Sequence, residues 1–74
     1  MELKQFIEKF ADQFDDTERE VFTPTTKFKE LDEWSSLIAL SLIAMIDEEC
    51  NISINSGIIR ESETIEDLYH KIFS

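Results

Sequence analysis

The sequence predicts a small all-α domain spanning residues 1–74, a four-helix bundle of three main helices and one short helix. Apolar residues recur at helical spacing in the first, middle and last parts of the chain. No stretch alternates polar and apolar residues for long enough to indicate a sheet, since "NISIN" is short and isolated. With 42% hydrophobic residues and six Phe among 74, the chain can form one core and is too apolar for a disordered acidic segment.

The first helix is predicted over about residues 2–14, because six apolar residues there share one helix face. They are Leu3, Phe6, Ile7, Phe10, Ala11 and Phe14. A long ordered loop with Pro24 and a threonine cluster separates this helix from the second one. A loop of roughly twenty residues is unusual in so small a domain and is usually functional. Four apolar residues are expected to anchor it to the core: Val21, Phe22, Phe28 and Leu31.

The second helix is predicted over residues 36–50, and it is apolar on nearly every side up to the acidic residues at its end. One stripe can face the core: Ala39, Leu42, Ile43, Ile46 and Cys50. The other apolar residues cannot all turn inward in a domain of this size, so we expect Leu37 and Ile38 to be partly exposed as partner contacts. The alternative is that loop residues cover them.

The last part of the chain contains a loop, at most one short helix around residues 56–61, and a final helix. Thr64 is the predicted cap of that final helix, and Asp67 three residues later gives a weak capping box. The inner face of this helix is predicted to be formed by Ile65, Leu68, Tyr69 and Ile72.

The net charge of −10 comes from 17 acidic and 7 basic residues and narrows the classes of partner. Nucleic acids and anionic membrane surfaces bind to faces rich in Lys and Arg, so neither is expected as a partner. The charge favours basic protein partners that are attracted electrostatically, and the alternative is that it serves solubility alone. No apolar run approaches the ~20 residues that a membrane span needs, and the N-terminus lacks the pattern of a signal peptide.

Catalysis and metal binding by the chain itself are not expected. His70 is the only histidine and is interpreted as a structural or surface residue, while Cys50 is the only cysteine and is interpreted as core. A single cysteine fits a reducing, cytoplasmic setting. Asp47, Glu48 and Glu49 lack the ligand spacing of a calcium loop, so a solvated acidic surface is the preferred interpretation.

Two adjacent serines, Ser35 and Ser36, stand at the predicted start of the second helix. The N-terminus of a helix carries unsatisfied N–H groups and a positive dipole end, which favour a bound phosphate. The simpler interpretation is that both serines only cap the helix. If Ser35 is the cap, its hydroxyl is engaged and Ser36 at the first helical position keeps a free hydroxyl. Trp34, just before the cap, is interpreted as a packing residue that acts like a hydrophobic staple.

The stretch "FKELDEWSSLIALSLIAMIDEE", Phe28 to Glu49, resembles the acyl carrier protein family, and "ETIEDLYHKI", Glu63 to Ile72, resembles the last helix of that family. In the family, an "L…D-S-L" stretch opens the second helix, and its serine carries 4'-phosphopantetheine through a phosphodiester. Ser36 and Leu37 match that Ser-Leu pair, whereas Ser35 stands where the family usually has Asp. Ile38 and Ser41 stand where it often has acidic residues.

The resemblance implies an acyl-carrier-type bundle that is not an enzyme, with the covalent arm on Ser36. It implies a phosphopantetheinyl transferase (a holo-synthase) as one partner. Acyl-transferring or condensing enzymes with basic docking patches are the others, and they would contact Leu37, Ile38, Asp47 and Glu48. We expect a free-standing, monomeric carrier for an acyl or aminoacyl group in a pathway such as fatty-acid, polyketide or lipid metabolism. The alternative is an unloaded adaptor acting only through protein–protein interaction, suggested by the missing Asp at position 35.

Clustered carboxylates repel one another, so added salt or Mg²⁺ is expected to raise the melting temperature of the protein. Thermal unfolding followed by circular dichroism across a NaCl titration and a MgCl₂ titration measures this effect. A melting temperature that stays flat across both titrations contradicts the prediction.

Overall fold

The structure is a computed structural model that describes residues 1–73, so the predicted domain of residues 1–74 extends one residue beyond it. It contains four α-helices and, within residues 1–73, no strand, which confirms the all-α bundle. The helices are α1 (Leu3–Ala11), α2 (Ser36–Cys50), α3 (Ser56–Glu61) and α4 (Ile65–Phe73). In the loop between α1 and α2 lie two single-turn 3-10 helices, Arg19–Val21 and Phe28–Glu30. Helix α1 packs against α2 and α4, and α3 packs against the same two helices. Within residues 1–73, no helix is both long enough and apolar enough to cross a membrane.

Helix α2 begins and ends where the sequence predicts, because a capping residue flanks it at each end. Ser35 in an extended conformation precedes it, and Asn51 follows it in the left-handed conformation with a φ of 57°. Asn tolerates this conformation better than most residues with a side chain, and its N–H bonds to the carbonyl of Asp47 at 3.0 Å.

Helix α1 ends at Ala11, so the predicted extension to residue 14 is wrong. Beyond Ala11 the chain tightens, and the N–H groups of Gln13 and Phe14 bond three residues back, to Phe10 and Ala11. The next two N–H groups, of Asp15 and Asp16, donate to the Glu33 carboxylate at 2.8 and 3.1 Å instead of continuing the helix. Phe14 still reaches the core, where it is 6% exposed.

Five aromatic rings join the end of α1 to the long loop. They are Phe10, Phe14, Phe22, Phe28 and Trp34, called the aromatic cluster below. Phe10 lies at its centre, with ring centroids 5.2 Å from Phe28, 5.8 Å from Phe14 and 6.2 Å from Phe22. The Trp34 ring contacts Phe28 edge to face at 5.1 Å. Rings at these separations attract one another in addition to the gain from burying their apolar area.

The anchoring of the loop follows the prediction at Phe22 and Phe28, which are buried, and in part at Leu31, which is half-buried. The prediction is wrong for Val21, whose side chain is 41% exposed. The 3-10 turn before Phe22 leaves Val21 on the outside, and its carbonyl accepts a hydrogen bond from Thr26 Oγ1 at 2.6 Å. Val21 therefore stabilises the loop through a hydrogen bond of its backbone and not through its side chain.

The same loop also holds the start of α4. The N–H groups of Ile65 and Glu66, which have no partner inside the helix, donate to the carbonyls of Thr26 and Pro24 at 3.2 and 3.0 Å. Thr64 Oγ1 accepts from the Asp67 N–H at 3.1 Å, which confirms Thr64 as the cap. The first turn of α4 is therefore satisfied by the loop as well as by its own cap.

The inward face of α2 includes part of the expected stripe: Leu42 and Ile46 are buried as predicted, and Ile43 and Cys50 are half-buried against the core. The face extends further than expected on the side of Ile38 and Met45. Ile38 is only 9% exposed, so its predicted partial exposure is wrong, and Met45 is 6% exposed. Ile38, Leu42, Met45 and Ile46 fall at helical spacing on one side, so the buried stripe runs up to the first turn. Leu37 is exposed to solvent, as predicted, and so is Leu40.

Replacing Phe10 by Ala is expected to lower the free energy of unfolding by about 3–5 kcal/mol, since Phe10 is fully buried at the centre of the aromatic cluster. Leu40→Ala is the matched control on an exposed side of a helix, with an expected change within about 0.5 kcal/mol. Urea unfolding followed by circular dichroism measures both variants. Equal effects of the two substitutions would contradict the central place of Phe10.

The Glu33 carboxylate gives a pH-dependent contribution to stability. The hydrogen bond from the Thr17 hydroxyl, at 2.7 Å, is the largest cause that lowers the pKa of Glu33, and the N–H groups of Asp15 and Asp16 add to it. Because the folded pKa lies below the unfolded one, this stabilisation is present above the ordinary Glu value of 4.5 and disappears as the pH falls through the folded pKa.

Glu33→Gln is therefore expected to lower the melting temperature at about pH 7 and to have a smaller effect at about pH 3, because the stabilisation is lost as the pH falls through the folded pKa. Thermal unfolding at the two pH values measures the difference. Glu30→Gln is the control, since Glu30 is exposed and its side chain makes no hydrogen bond within residues 1–73. A destabilisation by Glu33→Gln that persists unchanged at the lower pH would be the contrary result.

Candidate site at the start of the second helix

The two serines at the start of α2 have different environments. Ser35 is the cap, with φ −156° and ψ 169°, and its Oγ accepts a hydrogen bond from the Ile38 N–H at 3.3 Å. Ser36 is the first residue of the helix and is exposed. Its hydroxyl makes no hydrogen bond to any of the residues that the structure describes. The structure thus confirms the predicted hydrogen bonding, in which the Ser35 hydroxyl caps the helix and the Ser36 hydroxyl is free.

The chain enters α2 from a firmly held segment. Trp34 packs on Phe28 and lies 6.4 Å from Phe14 between ring centroids, which confirms it as a packing residue. Its N–H donates to the Leu31 carbonyl at 3.0 Å. The neighbouring Glu33 binds the segment that follows α1. The residues just before Ser35 are thus fixed from two sides, and they set the direction in which the helix begins.

A cleft of about 460 Å³ opens beside Ser36, between α2 and α3. Its walls are largely apolar, with polar groups at a few points. Nine residues line it: Lys29, Trp34, Ser36, Ala39, Leu40, Ile43, Ser56, Ile59 and Arg60. This cleft could not be predicted from the sequence, because its two sides are formed by residues that are far apart in the chain. A group attached to Ser36 could lie along it and keep an apolar end away from water.

The exposed face of α2 is formed by Leu37, Leu40, Ala44, Asp47 and Glu48. Leu37 is 73% exposed and Leu40 is 61% exposed, so two large apolar side chains meet the solvent near Ser36. Of the four predicted partner contacts, the structure brings Leu37, Asp47 and Glu48 to this face and leaves Ile38 out. Leu40 belongs to the apolar residues that were not expected to turn inward all together, but it was not predicted as a partner contact, although its spacing of three residues from Leu37 could have indicated it.

The remaining candidate residues do not form a second site. Burial is the main cause that raises the pKa of the half-buried Cys50 thiol, so the thiol is less reactive than a free cysteine. His70 is exposed beside the Tyr69 ring, in agreement with a surface residue. Glu49 pairs with Lys9 at 3.4 Å. Among residues 1–73, no cluster of His, Cys, Asp or Glu could hold a metal ion.

Comparison with known proteins identifies the family. A family model described as "phosphopantetheine attachment site" matches residues 4–72. No curated protein and no solved structure gave a significant match. The family is defined by a 4'-phosphopantetheine group attached covalently to a serine. An exposed, unbonded serine hydroxyl at a helix start, next to a largely apolar cleft, fits such a group. The chain belongs to the phosphopantetheine-binding carrier proteins, and its cofactor is 4'-phosphopantetheine.

Proposed function

We propose that this protein carries an acyl or aminoacyl group as a thioester on a 4'-phosphopantetheine arm attached to Ser36. The observation that supports Ser36 most strongly is the difference between the two serines. Both serines are exposed, but the Ser35 hydroxyl accepts a hydrogen bond from the Ile38 N–H, whereas the Ser36 hydroxyl makes no hydrogen bond within residues 1–73 and lines the cleft. A modifying enzyme needs an accessible hydroxyl, and Ser36 offers one.

Loading transfers the phosphopantetheinyl group of coenzyme A to Ser36 Oγ. A phosphorus–oxygen bond forms at Oγ, the phosphoanhydride bond of coenzyme A breaks, and adenosine 3',5'-bisphosphate leaves. The hydroxyl proton passes to a base of the transferase. The new phosphodiester lies at the N-terminus of α2, where the dipole of a helix of 15 residues favours its negative charge.

The arm supplies a thiol that holds the cargo as an activated thioester, and the chain supplies position and shelter. The cleft between α2 and α3 offers apolar contacts from Ala39, Leu40 and Ile43 to a hydrocarbon cargo. Burying a methylene group there contributes about 0.8 kcal/mol, which favours an apolar chain over a strongly polar one. The reactions themselves take place in the partner enzymes, in keeping with a carrier that is not a catalyst.

The exposed face of α2 is the proposed docking surface for those enzymes. Asp47 and Glu48 would attract basic patches over a distance, and Leu37 and Leu40 would give apolar contact close to the arm. The partners are a phosphopantetheinyl transferase and acyl-transferring or condensing enzymes. The net charge of −10 favours a monomer through mutual repulsion between copies. The single cysteine fits a cytoplasmic setting.

The second candidate function is an unloaded adaptor that acts only through protein–protein contact. Two observations favour it. Ser35 is uncharged where the family usually has Asp, and the exposed apolar side chains of Leu37 and Leu40 suit a contact surface. Loading by a transferase separates this candidate from the carrier.

Incubation with coenzyme A and a phosphopantetheinyl transferase is expected to raise the intact mass of the natural protein by one phosphopantetheine arm. Ser36→Ala is expected to abolish the shift, because it removes the acceptor hydroxyl. Ser35→Ala is the matched control and should still load, although it loses a cap worth about 1 kcal/mol. Circular dichroism confirms that both variants are folded.

Failure of the natural protein to load with several transferases would favour the adaptor. A shift that survives Ser36→Ala and disappears in folded Ser35→Ala would place the arm on the other serine. Ser35→Asp, which restores the usual carboxylate and still caps the helix, should load at least as fast as the natural protein.

A further inference from the structure

Two cationic residues line the cleft beside Ser36, although the chain as a whole has a net charge of −10. No Lys or Arg occurs between Glu30 and Ile59, so Lys29 and Arg60 stand at the two ends of this segment. The fold brings them together, because both line the cleft that Ser36 lines. Lys29 Nζ donates to the main-chain carbonyl of Arg60 at 2.5 Å, and this bond ties the loop to α3.

Both cations retain donors for a further ligand. The Lys29 ammonium has three N–H groups, of which this carbonyl takes one. Within residues 1–73, the Arg60 guanidinium makes no hydrogen bond and no ion pair. Neither cation is among the three salt bridges of the described chain, although the protein has 17 acidic residues. Two cations that line one cleft and have no carboxylate partner within residues 1–73 both attract an anion that enters it.

We propose that Lys29 and Arg60 bind the phosphate of the arm on Ser36. This inference rests on the proposed function, since it needs the arm on Ser36. Arginine presents several N–H donors in a planar fork that suits phosphate oxygens, and lysine adds a point charge. A phosphate held in this way would keep the start of the arm beside Ala39 and Ile43, which line the same cleft.

The contact is tested by nuclear magnetic resonance on protein whose loading has been verified by intact mass. The expected result is a shift of the Arg60 side-chain Nε–H resonance and of the Ile59 amide on loading. Arg60→Gln should abolish most of the Ile59 shift, and Lys29→Gln should reduce it. Lys27→Gln is the matched control, because Lys27 is an exposed cation that does not line the cleft.

Loaded protein in which Arg60→Gln leaves the Ile59 shift unchanged would overturn the inference while the proposed function stands. If neither the natural protein nor any variant loads, the proposed function fails. Titration of the unloaded protein with free 4'-phosphopantetheine then tests whether Lys29 and Arg60 bind its phosphate. A shift of the Arg60 Nε–H that is weakened by added salt supports the anion site. The lack of any such shift overturns it.

Discussion

The structure depends on the packing of the aromatic cluster between the end of α1 and the long loop. A chain of this length buries only about 60% of its unfolded surface, so each buried ring is a large part of the core. The loop between α1 and α2 has only two short helical turns of its own. Phe22, Phe28 and Trp34 fix it against Phe10 and Phe14, and without them the loop has few apolar contacts to order it.

The loop, once held by these rings, in turn stabilises α4 and the segment that follows α1. Its carbonyls at Pro24 and Thr26 complete the first turn of α4, and Glu33 binds the segment after α1. Its last residues reach α2 in an extended conformation, which is the backbone geometry that an N-cap needs. The core thus determines which serine is engaged and which is free, and the chemistry proposed at Ser36 follows from packing at some distance from it.

The sequence predicted those features that depend on neighbouring residues. The bounds of α2, the Ser35 cap and the Thr64 cap follow from residues within one helical turn. Features that depend on distant residues were missed or wrong. The Glu33 contacts join residues 16–18 positions apart, and they end α1 earlier than its apolar pattern suggests.

The inward face of α2 could not be fixed from the sequence for a similar reason. A helix that is apolar on nearly every side has no preferred inward direction of its own. The positions of the neighbouring elements determine that Ile38 is buried and Leu40 is exposed. The cleft, with Lys29 and Arg60 on its walls, needs α3 and the loop to be in position together. Tertiary packing, rather than local propensity, decides such features.

The central claim is that the cap on Ser35 leaves Ser36 as the residue that receives the arm. Peptide fragmentation by tandem mass spectrometry of the loaded natural protein tests it most directly, because it locates the added mass on one residue without any substitution. The claim predicts that the fragments assign the arm to Ser36. An arm found on Ser35 would contradict it.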